Sequence, residues 1–468
     1  MSGTYILGEK KERPGIYHRK ENGSVTLAAA TDGVAAAIIR GNWGPLNEAV
    51  EIDKSESDNI GEIFGSGTAE DVIGQIFEGG ATTCIAVRIG TISTSTENVT
   101  SGTYATITLD SAIKLTAKYV GDRSLSISIR DSITDEGKEC IIYEDSTQLE
   151  KFAFSSDTEV QELVDTINAM SSLVTAEFLK TAKITDVTQS KFTAGTQPTV
   201  DNESYSNGLE VLASYNWNAM CVDTVDSTVH KLVAKYLNKI EEAGKYPMAV
   251  VAEDNTKVSY DTRTTNAKAF NDYKMCYVLN DTVDSYGNIV NGYKLAAYTT
   301  GLIVGTKSTQ AITHQVVEFS DTKEVLTDTQ IKKALKSGCI VYTKNLKGGV
   351  WVEKGINTLV NPGSDLDEGW KKIKRVRVRH ELMERIDINT EDIIGKVNND
   401  TAGRSVFITR AQAVIDDMIA EGKLTSGTVY EDDKNVAQGD SAWFVIAVDD
   451  PDSLEIIYIA YKFRFAVE

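Results

Sequence analysis

Residues 205–252 read YSNGLEVLASYNWNAMCVDTVDSTVHKLVAKYLNKIEEAGKYPMAVVA, and their periodicity decides the fold. Tyr205–Ser214 reads as a helix and leads into the short apolar block Ala219–Val222. Thr228–Ala243 repeats the helical period, and Met248–Ala252 is again a brief apolar run bounded by polar residues. Helices alternating with short buried strands specify a largely parallel sheet covered by helices. The alternation continues through strand Lys274–Leu279 and helix Tyr293–Val304. Thr327-Asp328-Thr329-Gln330 forms a capping box that opens a helix ended by Gly338, and strands Cys339–Thr343 and Val350–Glu353 complete the unit. The class is α/β, or α+β over the whole chain.

Upstream, a polar arm over residues 1–20 contains Arg13-Pro14-Gly15-Ile16-Tyr17. Val25–Ile39 is apolar and β-prone around a turn at Asp32-Gly33, and Trp43-Gly44-Pro45 interrupts the chain. Ala69–Phe77 carries a helical stripe stopped by Gly79-Gly80, and Cys84–Ile89 reads as a buried strand. Composition shifts near residue 91 to Ser and Thr. β-like runs follow at Lys114–Tyr119, Leu125–Arg130 and Glu139–Tyr143, with one helix at Thr158–Ala169 that Thr158 caps and Gln161 closes. Residues 91–200 are therefore expected to be an inserted β-rich domain between residues 21–90 and 201–440 of a discontinuous core. Downstream, Trp370–Val397 reads as one long helix, although Val376 and Val378 alone also fit a short strand. Arg404–Ala420 is a second helix. Strands Trp443–Val448 and Ile456–Phe465 form a C-terminal arm over residues 441–468.

The chain has 468 residues, with 48 Lys and Arg against 68 Asp and Glu, a net charge of −20. That balance disfavours nucleic acid and anionic membranes as partners. The best uncharged apolar run, Leu295–Thr306, is too short to span a bilayer, and the N-terminus reaches charge too early for a signal peptide. The five cysteines (84, 140, 221, 276 and 339) are odd in number, lack a Cys-x-x-Cys pair and suit small buried hydrophobes in a reducing compartment.

Catalytic, cofactor and metal motifs fail residue by residue. His380-Glu381-Leu382-Met383-Glu384 lacks the second imidazole of a zinc helix. Gly305-Thr306-Lys307-Ser308 breaks the Gly-Lys pair of a phosphate loop, and Gly65-Ser66-Gly67 lacks a third glycine. The loops after Val222 and Ala252 are acidic and glycine-free, and Asp365-x-Asp367-x-Gly369 lacks the fifth ligand of a calcium loop. No enzyme, cofactor or metal site is expected. Two other features stand out. Lys371, Lys372, Lys374, Arg375, Arg377 and Arg379 crowd positive charge onto an acidic protein, as a solvated helix face or as a docking surface for an acidic partner. At the C-terminus Ile459, Tyr461, Phe463 and Phe465 alternate with small or basic residues, as in a strand pairing with another subunit or an internal edge strand.

Several segments together resemble the contractile tail sheath proteins of bacteriophages, particularly the short sheaths of Gram-positive phage-like elements. They are Arg-Pro-Gly-Ile-Tyr at 13–17, Trp-Gly-Pro at 43–45, Ala-Lys-Tyr-Val-Gly-Asp-Arg at 117–123 and Leu-Glu-Val-Leu-Ala-Ser-Tyr-Asn-Trp-Asn at 209–218. Leu-Lys-Ser-Gly at 335–338, Val-Trp-Val-Glu-Lys-Gly-Ile-Asn-Thr-Leu at 350–359, Ile-Gly-Lys-Val-Asn-Asn at 394–399 and Asp-Ser-Leu-Glu-Ile-Ile-Tyr at 452–458 complete the series. The resemblance implies a structural subunit without catalytic activity that polymerises helically around an inner tail tube and contracts. It implies as partners further copies of itself, the tube, and baseplate and tail-terminator proteins, and as location a virion tail or extracellular phage-like particle. A headless contractile bacteriocin and, in a different class, an α/β nucleotide-binding enzyme are the alternatives. Tyr5, Ile6, Leu7, Ile16, Tyr17, Ile459, Tyr461, Phe463 and Phe465 are expected to pair across subunits. Lys371, Lys372, Arg375, Arg379, Arg404 and Arg410 are expected to face the tube, or acids on adjacent sheath subunits. Hinges are expected at Arg19–Ser24 and Glu431–Asp440.

Overall fold

The computed structural model describes residues 2–4, 16–18, 30, 32–94, 99–132, 137–155 and 159–464. Its centre is a seven-stranded sheet built from β1 (Val34–Ile39), β2 (Ala49–Asp53), β3 (Thr83–Arg88), β4 (Ala219–Val222), β5 (Met248–Ala252), β6 (Met275–Val278) and β7 (Cys339–Ile340). The order is β7-β6-β5-β4-β1-β3-β2, parallel throughout except for β2, which runs antiparallel to β3. The parallel strands are largely apolar on both sides because helices cover both faces, whereas the edge strand β2 exposes Glu51 and Asp53. On one face α1 (Ala69–Gly79) sets Val72, Ile73, Ile76 and Phe77 against Ala35, Ala37, Cys84 and Ala86. On the other, Leu209 and Leu212 of α2 (Asn202–Leu212) and Val233, Leu237 and Ile240 of α3 (Ser227–Glu242) cover Ile38, Val87, Met220 and Val251. That face is extended by α4 (Tyr260–Phe270).

On the first face, α5 (Gly292–Gly305) is buried around its whole circumference from Leu295 to Val304, which is why its sequence is apolar without a stripe. It meets α1 backbone to backbone. A Cβ on Gly301 would lie 1.9 Å from the Ile76 carbonyl oxygen, and one on Gly79 2.2 Å from that of Tyr298. Only glycine permits this approach. The capping box predicted at Thr327 is present at the start of α6 (Asp328–Lys336), with both reciprocal bonds made.

Among its described residues the β-rich insertion has two larger antiparallel sheets and a short two-stranded one, Ser93–Thr94 with Val99–Ser101. Thr147–Phe154, Lys138–Glu144, Leu125–Asp131 and Val187–Lys191 form one of the larger sheets, and Val174–Phe178, Ile113–Val120 and Tyr104–Leu109 the other. With a helix at Val160–Met170 they enclose their own core around Leu115, Ile127, Ile142 and Leu163. Arg88, fully buried, ties this unit to the central sheet by donating to the carbonyls of Gly41, Gly44 and Val120 at 2.7–2.9 Å. A further core is formed by α7 (Ile373–Thr390), α8 (Thr401–Ala420) and the hairpin of β8 (Ser426–Glu431) and β9 (Phe444–Asp449), meeting at Val378, Leu382, Val414, Ile415, Met418 and Val429.

Four expectations are corrected, and one element is added. The helix expected from Thr158 starts at Val160 with Glu159 as its cap residue and no side-chain cap bond; Thr158 lies outside the described residues. The α4 helix was not anticipated. Cys339–Thr343 is not one strand: β7 ends at Ile340, and Tyr342–Lys344 pairs in a separate three-stranded sheet with Val350–Val352. The Asn280 side chain bridges that break, bonding both backbone groups of Tyr342 at 2.9 and 3.0 Å. The long helix splits after Thr390 into a 3₁₀ turn. Glu431–Asp440 cannot hinge the C-terminal arm, because it lies at the closed tip of a hairpin whose strands pair over six residues.

Candidate functional site

In an open parallel sheet a ligand crevice forms at the carboxyl ends of neighbouring strands whose connections leave in opposite directions, here β1 and β4. That place is filled by the chain itself. Asp223, following β4, is fully buried and accepts from Arg40 Nε at 2.8 Å, Thr68 Oγ1 at 2.5 Å and the Tyr205 hydroxyl at 2.7 Å. Burial, with Asp223 beside it, pushes the Tyr205 phenol up. After β5, Glu253 accepts from Tyr277 at 2.5 Å and from Asn266 at 3.0 Å. Beyond β6, burial pushes the Asp281 carboxyl up to about 6.

The rejected motifs are also accounted for. Gly305–Ser308 follows the carboxyl end of α5, where carbonyls rather than N–H groups project, and Arg377 donates to the Thr306 carbonyl. His380 is buried among the rings of Tyr246, Tyr273 and Trp370, with centroids at 5.9–6.2 Å, and burial pushes it down to about 4. Asp367 caps a 3₁₀ turn by accepting from the Gly369 N–H at 2.6 Å. Among the described residues no group of three or more His, Cys, Asp or Glu is placed to hold a metal, and no helix is long and apolar enough to cross a membrane. All five cysteines are buried thiols.

The C-terminal segment is the opposite of these sealed strand ends. From Asp450 to Arg464 it carries neither helix nor strand, so among the described residues the strand expected from Ile456 is not formed within the chain. Ile456, Ile457, Tyr458, Ile459, Tyr461 and Phe463 are 63–92% exposed. Phe465, Tyr5, Ile6 and Leu7 lie outside the described residues. Ile16 and Tyr17 belong to a short strand, Ile16–His18, that pairs in parallel with Ser2–Thr4 of the same chain.

The basic row of α7 is not a free surface. Arg375 grips Asp450 with two bonds, at 2.6 and 2.8 Å, and Arg379 reaches Asp450 at 3.0 Å and Asp367 at 2.9 Å. Lys372 sits between Asp452 at 2.8 Å and Glu455 at 2.9 Å. Lys371 pairs with Glu368, Arg404 with Glu431 and Arg410 with Asp392. The tube-facing expectation for these six residues meets charges already neutralised within the chain. Sequence reading missed the partners, although the acidic run Asp449, Asp450, Asp452 and Glu455 supplied the signal. Burial alone would raise Asp450 and Asp452, but the hydrogen bonds from Arg375, Arg379 and Lys372 outweigh it and hold both below the ordinary carboxylate range.

The class that the structure defines is an α/β sheet sealed at its strand ends, with an exposed apolar segment after Glu455. Residues 199–358 match the central domain of phage tail sheath proteins. The sheath tail protein of Desulfitobacterium hafniense has the same fold at 17% identity, with a TM-score of 0.71 over 93% of this chain and 100% of that one. That of Listeria innocua aligns at 17% identity and TM-score 0.68 over 91% of this chain and 96% of its own. The helical sheath of the anti-feeding prophage, solved in its contracted state, aligns at 11% identity and TM-score 0.56 over 97% and 99%. No curated protein sequence matches the chain. The family match covers residues 199–358, and the fold shared with these sheath proteins spans most of the chain.

Proposed function

We propose that this chain is the subunit of a contractile sheath, polymerising helically around an inner tail tube and contracting to drive the tube through a target cell envelope. Residues 199–358 supply the scaffold. The observation that carries the reading is the exposed apolar segment after Glu455, a β-prone run of side chains that water does not favour, on a chain whose residues 199–358 match a sheath central domain. A second copy that accepts Ile456–Phe463 as a strand satisfies both its backbone and its alternating side chains. Baseplate, tail-terminator and tube proteins complete the partner set, in a virion tail or in a headless bacteriocin-like particle assembled in the host cell. Contraction draws on the subunit arrangement and not on nucleotide. Burial of about 200 Å² of extra apolar surface per subunit supplies about 5 kcal/mol at about 25 cal/mol per Å². That is near the ~5.5 kcal/mol that carries a two-state equilibrium from 1:99 to 99:1.

Electron microscopy of the purified chain tests this. Tubes or ring stacks are expected from the full chain, and folded monomers from a chain ending at Glu455. A full chain that stays monomeric at every concentration, or nucleotide bound stoichiometrically, would return the reading to an α/β enzyme.

A further inference from the structure

The acids that meet Lys372, Arg375 and Arg379 belong to one short stretch of the C-terminal segment, apart from Asp367, while Lys371 pairs with Glu368 and Arg377 with Asp32. Asp450 and Glu455 mark its ends, and both side chains are nearly buried, at 7% and 9% exposure. Between them, Lys374 Nζ donates to the Pro451 carbonyl at 3.2 Å and Asp452 meets Lys372. Glu455 is held twice, by Lys372 and by Thr313 Oγ1 at 2.9 Å. Four cations (Lys372, Lys374, Arg375, Arg379) thus face four carboxylates (Asp367, Asp450, Asp452, Glu455), and the cluster is electrically neutral.

The helix has its own need for these acids. The first turn of α7 contains no Asp or Glu, and its cations sit at the end where the helix dipole is already positive. The C-terminal segment supplies the negative charge that the helix sequence omits. Immediately beyond Glu455 the contacts stop, and the side chains of Ile456, Ile457 and Tyr458 stand 63%, 69% and 92% exposed. No backbone N–H of 450–455 bonds to another backbone group, so the stretch is held by side-chain charge, one lysine-to-carbonyl bond and the Thr313 hydroxyl on Glu455.

We propose that residues 450–455 are a releasable electrostatic latch that clamps the root of the C-terminal arm onto α7 and fixes Ile456 as the point where the free arm begins. This rests on the reading of that arm as an inter-subunit connector and specifies its length. Latched, the described free part is residues 456–464, spanning at most about 30 Å at ~3.3 Å per residue. Unlatched, the six residues 450–455 add about 20 Å of slack starting from the end of β9. The interactions are ionic at a partly exposed surface, so salt weakens them and a competing carboxylate can displace them. An apolar seam would not open in either way.

Limited proteolysis of the dilute monomer tests the latch without requiring any assembly. Leu454 is 83% exposed, so Leu454→Tyr places one cleavable tyrosine inside the latch to compare with Tyr461 outside it. Chymotrypsin, with fragments read by mass spectrometry, is expected to cut after Tyr461 at least about tenfold faster than after residue 454, because cleavage follows the population of the open form. Adding Lys372→Glu with Arg375→Glu is expected to bring the two rates within about threefold, as is 1 M NaCl on the parent. Should that pair disturb α7, Asp452→Asn with Glu455→Gln breaks the latch from the arm side, and Lys372→Glu with Asp452→Lys and Glu455→Lys is expected to restore protection. Equal cleavage at both sites in the parent, or protection unchanged in every latch variant, overturns the proposal. Failure of the full chain to form tubes would instead overturn the sheath reading and leave the proteolysis result standing.

Discussion

The carboxyl ends of the central strands and the root of the C-terminal arm both gather carboxylates, and they use that charge differently. At the strand ends each carboxylate is buried under groups from distant parts of the chain. Asp223 collects Arg40, Thr68 and Tyr205, separated from it by 183, 155 and 18 residues. At the arm root the carboxylates come from one six-residue stretch and are met by one helix face. The first arrangement locks long-range topology and is lost only with the fold. The second can open while everything beneath it stays folded. A parallel sheet with internally satisfied ends makes a rigid body, and the movable ion pairs lie at its edge.

Breaking the first arrangement is expected to have the largest effect. Asp223→Ala leaves Arg40 without its carboxylate and strips the acceptor from Thr68 and Tyr205. Arg40 is 43% exposed and can turn to water, so the cost lies in the buried hydroxyls left without their acceptor, about 1–3 kcal/mol for each, and the denaturant midpoint of the full chain is expected to fall accordingly. Asp450→Ala removes an equally well-paired carboxylate, yet the core midpoint is expected to move by less than half as much. Equal losses at the two positions would erase the distinction between lock and latch.

Acid separates the regions by pH. His380 is held neutral by burial, with a folded value of about 4 against an unfolded value near 6.5. Between those values the unfolded chain binds more protons, so this group's contribution falls as pH falls from about 6.5 to about 4, by about 3 kcal/mol in all. Asp281, raised to about 6 by burial, works in the opposite sense over much of that window. The readout is therefore a difference: relative to the parent, His380→Leu is expected to gain stability progressively as pH drops from 7 to 4. Asp450 and Asp452, held below the ordinary carboxylate range, keep their contribution through this window and lose it only below about pH 4. A difference curve that is flat between pH 7 and 4 would show that His380 takes up its proton without opening the helix packing.

The sheet was legible where burial and period agreed. Ala219–Val222 and Met248–Ala252 are strands to the residue, because both flanks turn polar at once. The α4 helix was illegible because its stripe is not apolar: Arg263, Thr264 and Ala267 are its buried residues, and Arg263 is paid for by a two-bond pair with Glu324 at 2.6 and 2.7 Å. The caps were there to be read, with Ser259 accepting from the Thr262 N–H and Asn271 in the left-handed region. The arm site was half legible. Its apolar alternation and the basic row both stood in the sequence, but which acids meet which cations depends on a chain crossing of about 75 residues that no local pattern encodes. Of the two capping boxes, Thr327–Gln330 formed. Thr327→Ala is expected to cost about 1 kcal/mol through the lost cap, measured by the same denaturant midpoint.

The smallest expected effect is the most telling for the comparison. Tyr461 and Tyr342 are both tyrosines in β-prone stretches, but Tyr461 is 74% exposed and Tyr342 1% exposed, with its hydroxyl 2.7 Å from Thr299 Oγ1. Replacing Tyr342 by serine removes a packed ring from the core and is expected to cost several kcal/mol, within the roughly 3–5 kcal/mol range of large aromatic truncations. Tyr461→Ser is expected to change monomer stability by less than about 0.5 kcal/mol, as for a side chain that touches little of its own fold. If the arm strand is completed by a second copy, the same Tyr461→Ser change has its cost in assembly, where the ring becomes buried. The expected pattern is an unchanged unfolding midpoint together with a raised critical concentration for tube formation. A clear loss of monomer stability would place the tail back on its own core, and the division between a rigid body and a free arm would fall with it.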